Sequence, residues 1–177
     1  VKNMLSGNER KVQIRAALST SKKPISASAF AKQFGVSRQT VVGDIALMRA
    51  LGAKIIATPR GYEYQEETSK AHQAVIVCRH EPDEIEQELT LIIDNGGTVV
   101  DVSVDHPLYG QLRGQLAIRN HSDIQNFLQQ LRHFDGHPLA VLTNGVHLHT
   151  ITYQTDEQLQ NIKNALRVVG ILYEPLN

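Results

Sequence analysis

The sequence predicts an α+β protein in two parts: three helices closed by a hairpin, then a sheet covered by helices on one side. Three observations carry that prediction. Charge splits sharply along the chain. Residues 1–70 hold 12 Lys/Arg against 5 Asp/Glu, a balance of +7, whereas residues 71–177 hold 6 against 13, a balance of −7, and all eight histidines. Apolar residues in the first part recur at helical spacing between short polar breaks. In the second part strand-like runs alternate with helical ones, bounded by capping residues or glycine. The length of 177 residues suits two modest domains, expected at 1–66 and 72–177.

The elements follow in order. Gly7 to Ser19 places Val12, Ile14, Ala16 and Leu18 among charged residues and reads as an amphipathic helix. Thr20 to Pro24 is a polar break. Ser26 is a good N-cap for a second helix bearing Ala29, Phe30 and Phe34, and Gly35 suits the left-handed position that ends it. Val36 should pack inward. Ser37 caps a third helix to about Leu51, with Val41, Ile45, Met48 and Leu51 as its buried face, and Gly52 stops it. Lys54 to Tyr64 holds two β-prone runs about Pro59-Arg60-Gly61, the form of a hairpin.

Glu66 to Ala71 reads as a linker or the end of that hairpin. Ala74 to Cys78 is a buried strand followed by Arg79-His80. Asp83 with Glu86 resembles a capping box, opening a helix to about Asn95 with Ile85, Leu89, Ile92 and Ile93 inward. Thr98 to Val104 is strand-like, Asp105 to Gly110 a turn or loop, and Leu112 to Ile118 another strand. Ser122 with Gln125 caps a helix carrying Ile124, Phe127, Leu128 and Leu131. Pro138 to Leu142 and His147 to Tyr153 read as a hairpin across Thr143-Asn144-Gly145. Thr155 with Gln158 caps a last helix bearing Leu159, Ile162, Leu166 and Val169.

Composition narrows the class. With 41% hydrophobic and 20% charged residues the chain reads as an ordinary globular protein, and no apolar run approaches the roughly 18 residues that span a membrane. Val1 to Arg10 lack the apolar stretch of a secretory leader. Cys78 is the single cysteine and fits a reducing compartment, so a cytoplasmic location is expected.

The first part has the order helix, helix, glycine turn, helix, hairpin, which is a winged helix-turn-helix. In that arrangement the helix after the turn enters the major groove with its early residues on base edges and phosphates. Here those are Ser37, Arg38, Gln39 and Thr40. Arg pairs with guanine and Gln with adenine, while hydroxyls suit phosphates. Arg60, at the wing tip, is placed to reach a backbone phosphate. Helix pairs with a glycine turn also occur in domains that touch no DNA; the wing and the positive charge favour duplex DNA as the partner. Gly43 lies inside the third helix, where glycine costs about 1 kcal/mol relative to alanine. It suggests a close approach to a neighbour or to DNA.

In the second part His147 and His149 lie at i and i+2 of a strand, so their side chains share one face. They form either a natural pair of metal ligands or two solvated surface residues. His80 at a strand end and Glu88 on the next helix complete a four-ligand set that suits zinc, nickel or iron. Glu81, Glu84 and Glu86 are alternative carboxylates. His72, His121, His133 and His137 read as surface residues, and Cys78 as core.

The strand-end histidine, the Asp105-His-Pro-Leu-Tyr-Gly110 loop and the His147-Leu-His149 strand together resemble the three-histidine, or 3H, domain. Val36-Ser-Arg-Gln-Thr-Val41 and the run from Asp44 to Gly52 resemble the helix-turn-helix paired with 3H domains in niacin-responsive repressors, the NiaR family. The resemblance covers nearly the whole chain. It implies a homodimeric repressor of genes for making or importing NAD precursors, bound to operator DNA with nicotinic acid, a pyridine carboxylate, as co-repressor. It also implies a metal held at His80, Glu88, His147 and His149. His106 is then expected to line the same cavity, touching the ligand or shaping the loop, and Tyr109 likewise.

Two rival readings remain at this level. One is a metal-sensing repressor without a niacin ligand. The other is a metal-dependent hydrolase or transferase, although the chain contains no HExxH, P-loop or glycine-rich dinucleotide fingerprint.

Overall fold

A computed structural model describes residues 4–65, 71–133 and 135–174, and the chain divides into two compact units, Val1–Glu67 and Thr68–Asn177. The linker expected at 66–71 lies, apart from Ala71, outside the described residues.

The first unit contains α1 (Gly7–Thr20), α2 (Ala27–Phe34), α3 (Arg38–Ala50) and a hairpin of β1 (Ile55–Thr58) and β2 (Gly61–Tyr64). Its three helix starts are each set by serine. Ser6 accepts from the Glu9 N–H and gives its own N–H to Glu9 Oε2, a reciprocal box that the sequence reading missed. Ser26 and Ser37 cap α2 and α3 as expected. Gly35 ends α2 at φ +67, a conformation that costs a side-chained residue roughly 1–2 kcal/mol.

Ile14, Leu18, Phe30, Phe34, Val41, Ile45, Met48 and Ile55 close one core. α1 contributes the buried Ile14 and Leu18, one turn apart, with Ala17 packed at the edge. Val12, 68% exposed, and Ala16 face solvent, contrary to expectation, because one helix cannot turn residues two apart to the same side. Leu51, expected at the buried face of α3, is 84% exposed, because it lies beyond the last helical residue as the C-cap. Arg10 ties α1 to α3 by two bonds to the buried carboxylate of Asp44, at 2.7 and 3.2 Å. The hairpin is anchored to the helices where Ile25 and Tyr62 exchange backbone bonds of 2.9 and 2.8 Å. There a Cβ on Gly61 would lie 2.6 Å from the Ile25 backbone, so only glycine permits the approach.

The second unit is a four-stranded antiparallel sheet of β3 (His72–Arg79), β4 (Thr98–His106), β5 (Gly110–Ile118) and β6 (Val146–Tyr153), in the order β3-β6-β4-β5. Helices α4 (Ile85–Asp94), α5 (His121–His133) and α6 (Asp156–Val168) pack their apolar residues on it. Ile76, Ile92, Ile118, Ile124, Ile151 and Leu166 form the centre of that core. Alternation along β6 is strict: His147, His149, Ile151 and Tyr153 are buried, and the residues between them are half-buried.

Three local expectations are corrected. The box at the start of α4 is not Asp83 with Glu86. A 3-10 turn over Pro82–Glu84 precedes the helix, and the Glu81 N–H donates to Glu84 Oε2 at 2.8 Å. α5 is capped by Asn120, whose side chain accepts from the Asp123 N–H at 2.9 Å, rather than by Ser122. Leu139–Thr143 is a 3-10 turn and not a strand, so no hairpin joins it to β6. A short apolar run is equally compatible with both conformations; here Asn144 at φ +53 and Gly145 at φ +89 turn the chain directly into β6.

Candidate metal centre and nucleic-acid face

β6 turns His147 and His149 to the helix-covered face of the sheet, α4 turns Glu88 down onto them, and the end of β3 brings in His80. Glu88, His147 and His149 are 1%, 2% and 4% exposed. His147 Nε2 lies 3.0 and 3.1 Å from the two Glu88 oxygens. His80 Nε2 contacts Glu88 Oε2, and His149 Nε2 contacts Glu88 Oε1. The rings of His80 and His149 each meet that of His147 edge to face, with centroids 4.8 Å apart. All four residues of the expected ligand set therefore converge on one point, and the carboxylate is Glu88 rather than Glu81, Glu84 or Glu86.

The opposite ring nitrogens decide what that point can hold. His80 Nδ1 lies 2.7 Å from Glu81 O, His147 Nδ1 2.8 Å from Gly145 O, and His149 Nδ1 2.8 Å from Asp101 O. A carbonyl oxygen only accepts, so each Nδ1 carries hydrogen and donates it. In a neutral ring, Nε2 then presents a lone pair. Three lone pairs facing a carboxylate have no hydrogen to share unless the rings are protonated, and three imidazolium ions around one buried carboxylate would leave uncompensated buried charge. His80 Nε2 is buried without a hydrogen-bond partner. A divalent cation satisfies all four donors at once, and nitrogen-plus-carboxylate donor sets with backbone-held rings are the usual form of such sites.

Without a cation the centre is polarised as an ion pair. Burial disfavours charge on Glu88, but His149 and His147 outweigh it and hold the carboxyl below its usual range. Burial likewise opposes charge on His149, yet Glu88 and, more weakly, Asp101 push its pKa up. Cys78 stands opposite His147 across β3 and β6, and one ligand atom from each of Cys78, Glu88 and His147 lies within 4.8 Å of the others. Burial first, then Glu88, raises the Cys78 thiol, so it stays neutral and fits the core role read from sequence. Its closeness to the centre depends on cross-strand register, which sequence does not display.

A cavity of about 520 Å³ opens from the centre. His80, Glu88, His147 and His149 line it together with the polar Arg79, Glu81 and Asn144, and residues including Val102, Leu116, Phe127 and Leu139 add apolar wall. That combination of apolar wall and a few polar groups is the usual make-up of a small-molecule site. His106 and Tyr109 are not among the lining residues, which corrects the expectation that they border this cavity within the chain. β4 ends at His106, which pairs with Gly110, φ +70, so His106 borders the hairpin turn and Tyr109, 70% exposed, lies within it. His106 shapes that turn: its Nδ1 accepts from the Leu108 and Tyr109 N–H groups at 3.1 and 3.3 Å.

In the first unit, Ser37, Arg38 and Gln39 are exposed at the start of α3, and Thr40 is half-buried. Ser37 and Thr40 are coupled by a 2.8 Å hydroxyl–hydroxyl bond, so their oxygens hold the cap, while Arg38 and Gln39 are exposed. Gly43 is on the exposed face with Ala46 and Ala50, and a Cβ there would meet no atom within 4 Å. Packing within the chain thus does not require this glycine. Arg60 sits in the turn between β1 and β2, where its N–H donates to Thr58 Oγ1 at 3.2 Å.

Comparison with known proteins matches both units. A model of the 3H domain matches residues 73–175, and a model of an HTH domain matches residues 10–63. The chain is 40% identical over 166 residues to a probable transcription repressor NiaR of Thermotoga maritima, covering 94% of each chain. It is 37% identical over 171 residues to the transcription repressor NadR of Bacillus subtilis, covering 95% of each. No helix among the described residues is long and apolar enough to cross a membrane.

Proposed function

The chain belongs to the 3H-domain transcription repressors with a helix-turn-helix head, and from that premise we propose that it is a cytoplasmic, homodimeric, niacin-responsive repressor of NAD-precursor genes. α3 reads operator DNA through Arg38 and Gln39, Ser37 and Thr40 set its N-terminus against the phosphate backbone, and Arg60 of the wing adds a backbone contact. His80, Glu88, His147 and His149 hold a zinc, nickel or iron ion. Nicotinic acid enters the cavity beside them and acts as co-repressor.

One observation carries the sensor assignment. Three imidazoles, each committed through Nδ1–H to a backbone carbonyl, aim Nε2 at a single buried carboxylate that lines a partly apolar cavity. A bound divalent ion supplies positive charge there, which a pyridine carboxylate needs in a unit whose net charge is negative. The chain's own contribution is to fix the rings, neutralise one positive charge with Glu88 and sort ligands by shape along the apolar walls. Effector binding strengthens repression only if it favours the dimer arrangement whose heads match successive major grooves, about 34–36 Å apart.

The deciding experiment is a DNA mobility shift at fixed salt across pyridine carboxylates and amides, with metal present or chelated. Salt is fixed because phosphate-driven affinity varies steeply with it. Nicotinate tightens binding only when metal is present, and His147→Ala/His149→Ala abolishes the response. An unchanged nicotinate affinity in that variant overturns the metal-linked scheme. A second reading, in which the ion alone is the signal, draws on the number of protein donors: four would be enough to hold an ion without any small molecule. It requires full operator affinity with metal and no further gain from nicotinate.

A further inference from the structure

We propose that Asp101 is the positioning residue of this centre, holding a bulge in β4 so that His149 meets the metal through Nε2; the proposal rests on the metal reading above. β4 loses register between Val99 and Asp101 against both of its neighbours. Against β6, Val99 pairs with Ile151 and Asp101 with Thr150, so Val100 is an extra residue. On the other side the same step is matched by an irregularity in β5, where Ala117 takes φ +51. A left-handed alanine is strained, and such strain persists only where its surroundings enforce it.

The bulge has a local use. Asp101 is 3% exposed. Its backbone oxygen accepts from His149 Nδ1 at 2.8 Å, and its side chain accepts from the Thr150 N–H at 3.0 Å. In a regular antiparallel ladder that N–H would be bonded by a backbone carbonyl of the neighbouring strand. Here the carboxylate bonds it, while the carbonyl is turned onto the imidazole. One residue thus secures the strand and the ring at adjacent positions of β6. Arg113 of β5, with Nε 3.6 Å from Asp101 Oδ2, supplies a compensating positive charge. His80 and His147 are fixed by carbonyls of loop residues beside them in sequence, Glu81 and Gly145. His149 lies inside the sheet, where a carbonyl in regular pairing is committed to the ladder. An interruption of the ladder leaves one free to take the imidazole.

The test uses the full-length protein and two readouts. In the metal-free, ¹⁵N-labelled chain, at a pH high enough to deprotonate His149, long-range ¹H–¹⁵N correlation reports its tautomer. Titration with Co²⁺ reports affinity and, through the d–d bands, the ligand field. The wild type shows hydrogen on Nδ1. Asp101→Ala shifts His149 to a mixture of tautomers, weakens Co²⁺ binding by about 10–100-fold, as loss of an outer-shell partner does, and alters the d–d bands. Asp101→Asn keeps an acceptor for the Thr150 N–H and retains the wild-type tautomer and spectrum. Asp101→Ala with unchanged tautomer and Co²⁺ affinity overturns the proposal, as does loss of the Nδ1–H tautomer in Asp101→Asn, which decides the matter if the alanine variant does not fold. A wild-type chain that takes up no Co²⁺ overturns the metal reading instead, and the tautomer measurement then decides the role of Asp101 alone.

Discussion

At the scale of single residues, the centre depends on groups that look unremarkable in a sequence. Gly145 is one. It has φ +89, and a Cβ there would lie 2.5 Å from the His80 carbonyl oxygen, while its own carbonyl holds His147. Gly145→Ala is therefore strained in itself and displaces two ligands together. Cobalt titration should show at least a tenfold loss of affinity, the scale reported for removal of outer-shell support, alongside a lowered thermal midpoint. The histidines and the carboxylate were legible in part: i, i+2 on a strand and an acid on the flank of an amphipathic helix allow a metal site or a solvated face, and the 3H likeness chose between them. Their supporting carbonyls were not. Every residue has a carbonyl, and which one meets an imidazole is settled by a bulge, a left-handed turn and a register. Of the two roles open to His106, the loop-shaping one matches its bonding. Its ring closes a hairpin turn through Nδ1 as an acceptor, opposite to the donor role of Nδ1 at the centre.

At the scale of elements, caps and glycines gave most of the first unit away. Ser26, Ser37 and Gly35 mark boundaries by local bonding, and local bonding is what sequence records. The run from Leu139 to Thr143 was opaque, because four or five apolar residues carry too few turns to separate periods of 2 and 3.6. Gly43 remains the most informative element-scale position. It occupies the exposed face of α3 with open space around its Cβ, so Gly43→Ala should stabilise the protein by as much as about 1 kcal/mol. If the glycine instead serves a close approach of α3 to the groove floor, the same variant binds operator more weakly. Chemical denaturation and a mobility shift on one preparation separate the two effects. Greater stability with unchanged operator affinity would leave Gly43 without a role in recognition. Ser37→Ala, by contrast, removes the α3 cap and should cost about 1 kcal/mol while also loosening Thr40.

At the scale of the whole molecule, charge and metal act on different units, and that separation is measurable. The positive balance is confined to residues 1–70, so operator affinity should fall steeply with salt, whereas metal binding to the four buried donors should not. Metal should likewise stabilise the Thr68–Asn177 unit, by about 2.7 kcal/mol at a hundredfold excess over its dissociation constant, and so raise its unfolding midpoint without moving that of the Val1–Glu67 unit. The pH dependence gives a sharper contrast. In the metal-free protein His149 is raised, so its pairing with Glu88 stabilises below the ordinary histidine value of about 6.5 and is lost as pH rises through the higher folded value. Glu88 is lowered, so its contribution is present above the ordinary glutamate value of about 4.3 and is lost as pH falls through the lower folded value. The apo unit should therefore be best supported by this pair between those ordinary values and weaken on the alkaline side. Metal-binding imidazoles must be neutral, so the holo unit gains stability with rising pH over the same range. Calorimetric scans with and without Zn²⁺ from pH 5 to pH 8 should show midpoints that diverge as pH increases. Parallel curves would mean that proton and metal do not compete for these nitrogens, and the convergence of His80, His147 and His149 on Glu88 would then require another explanation.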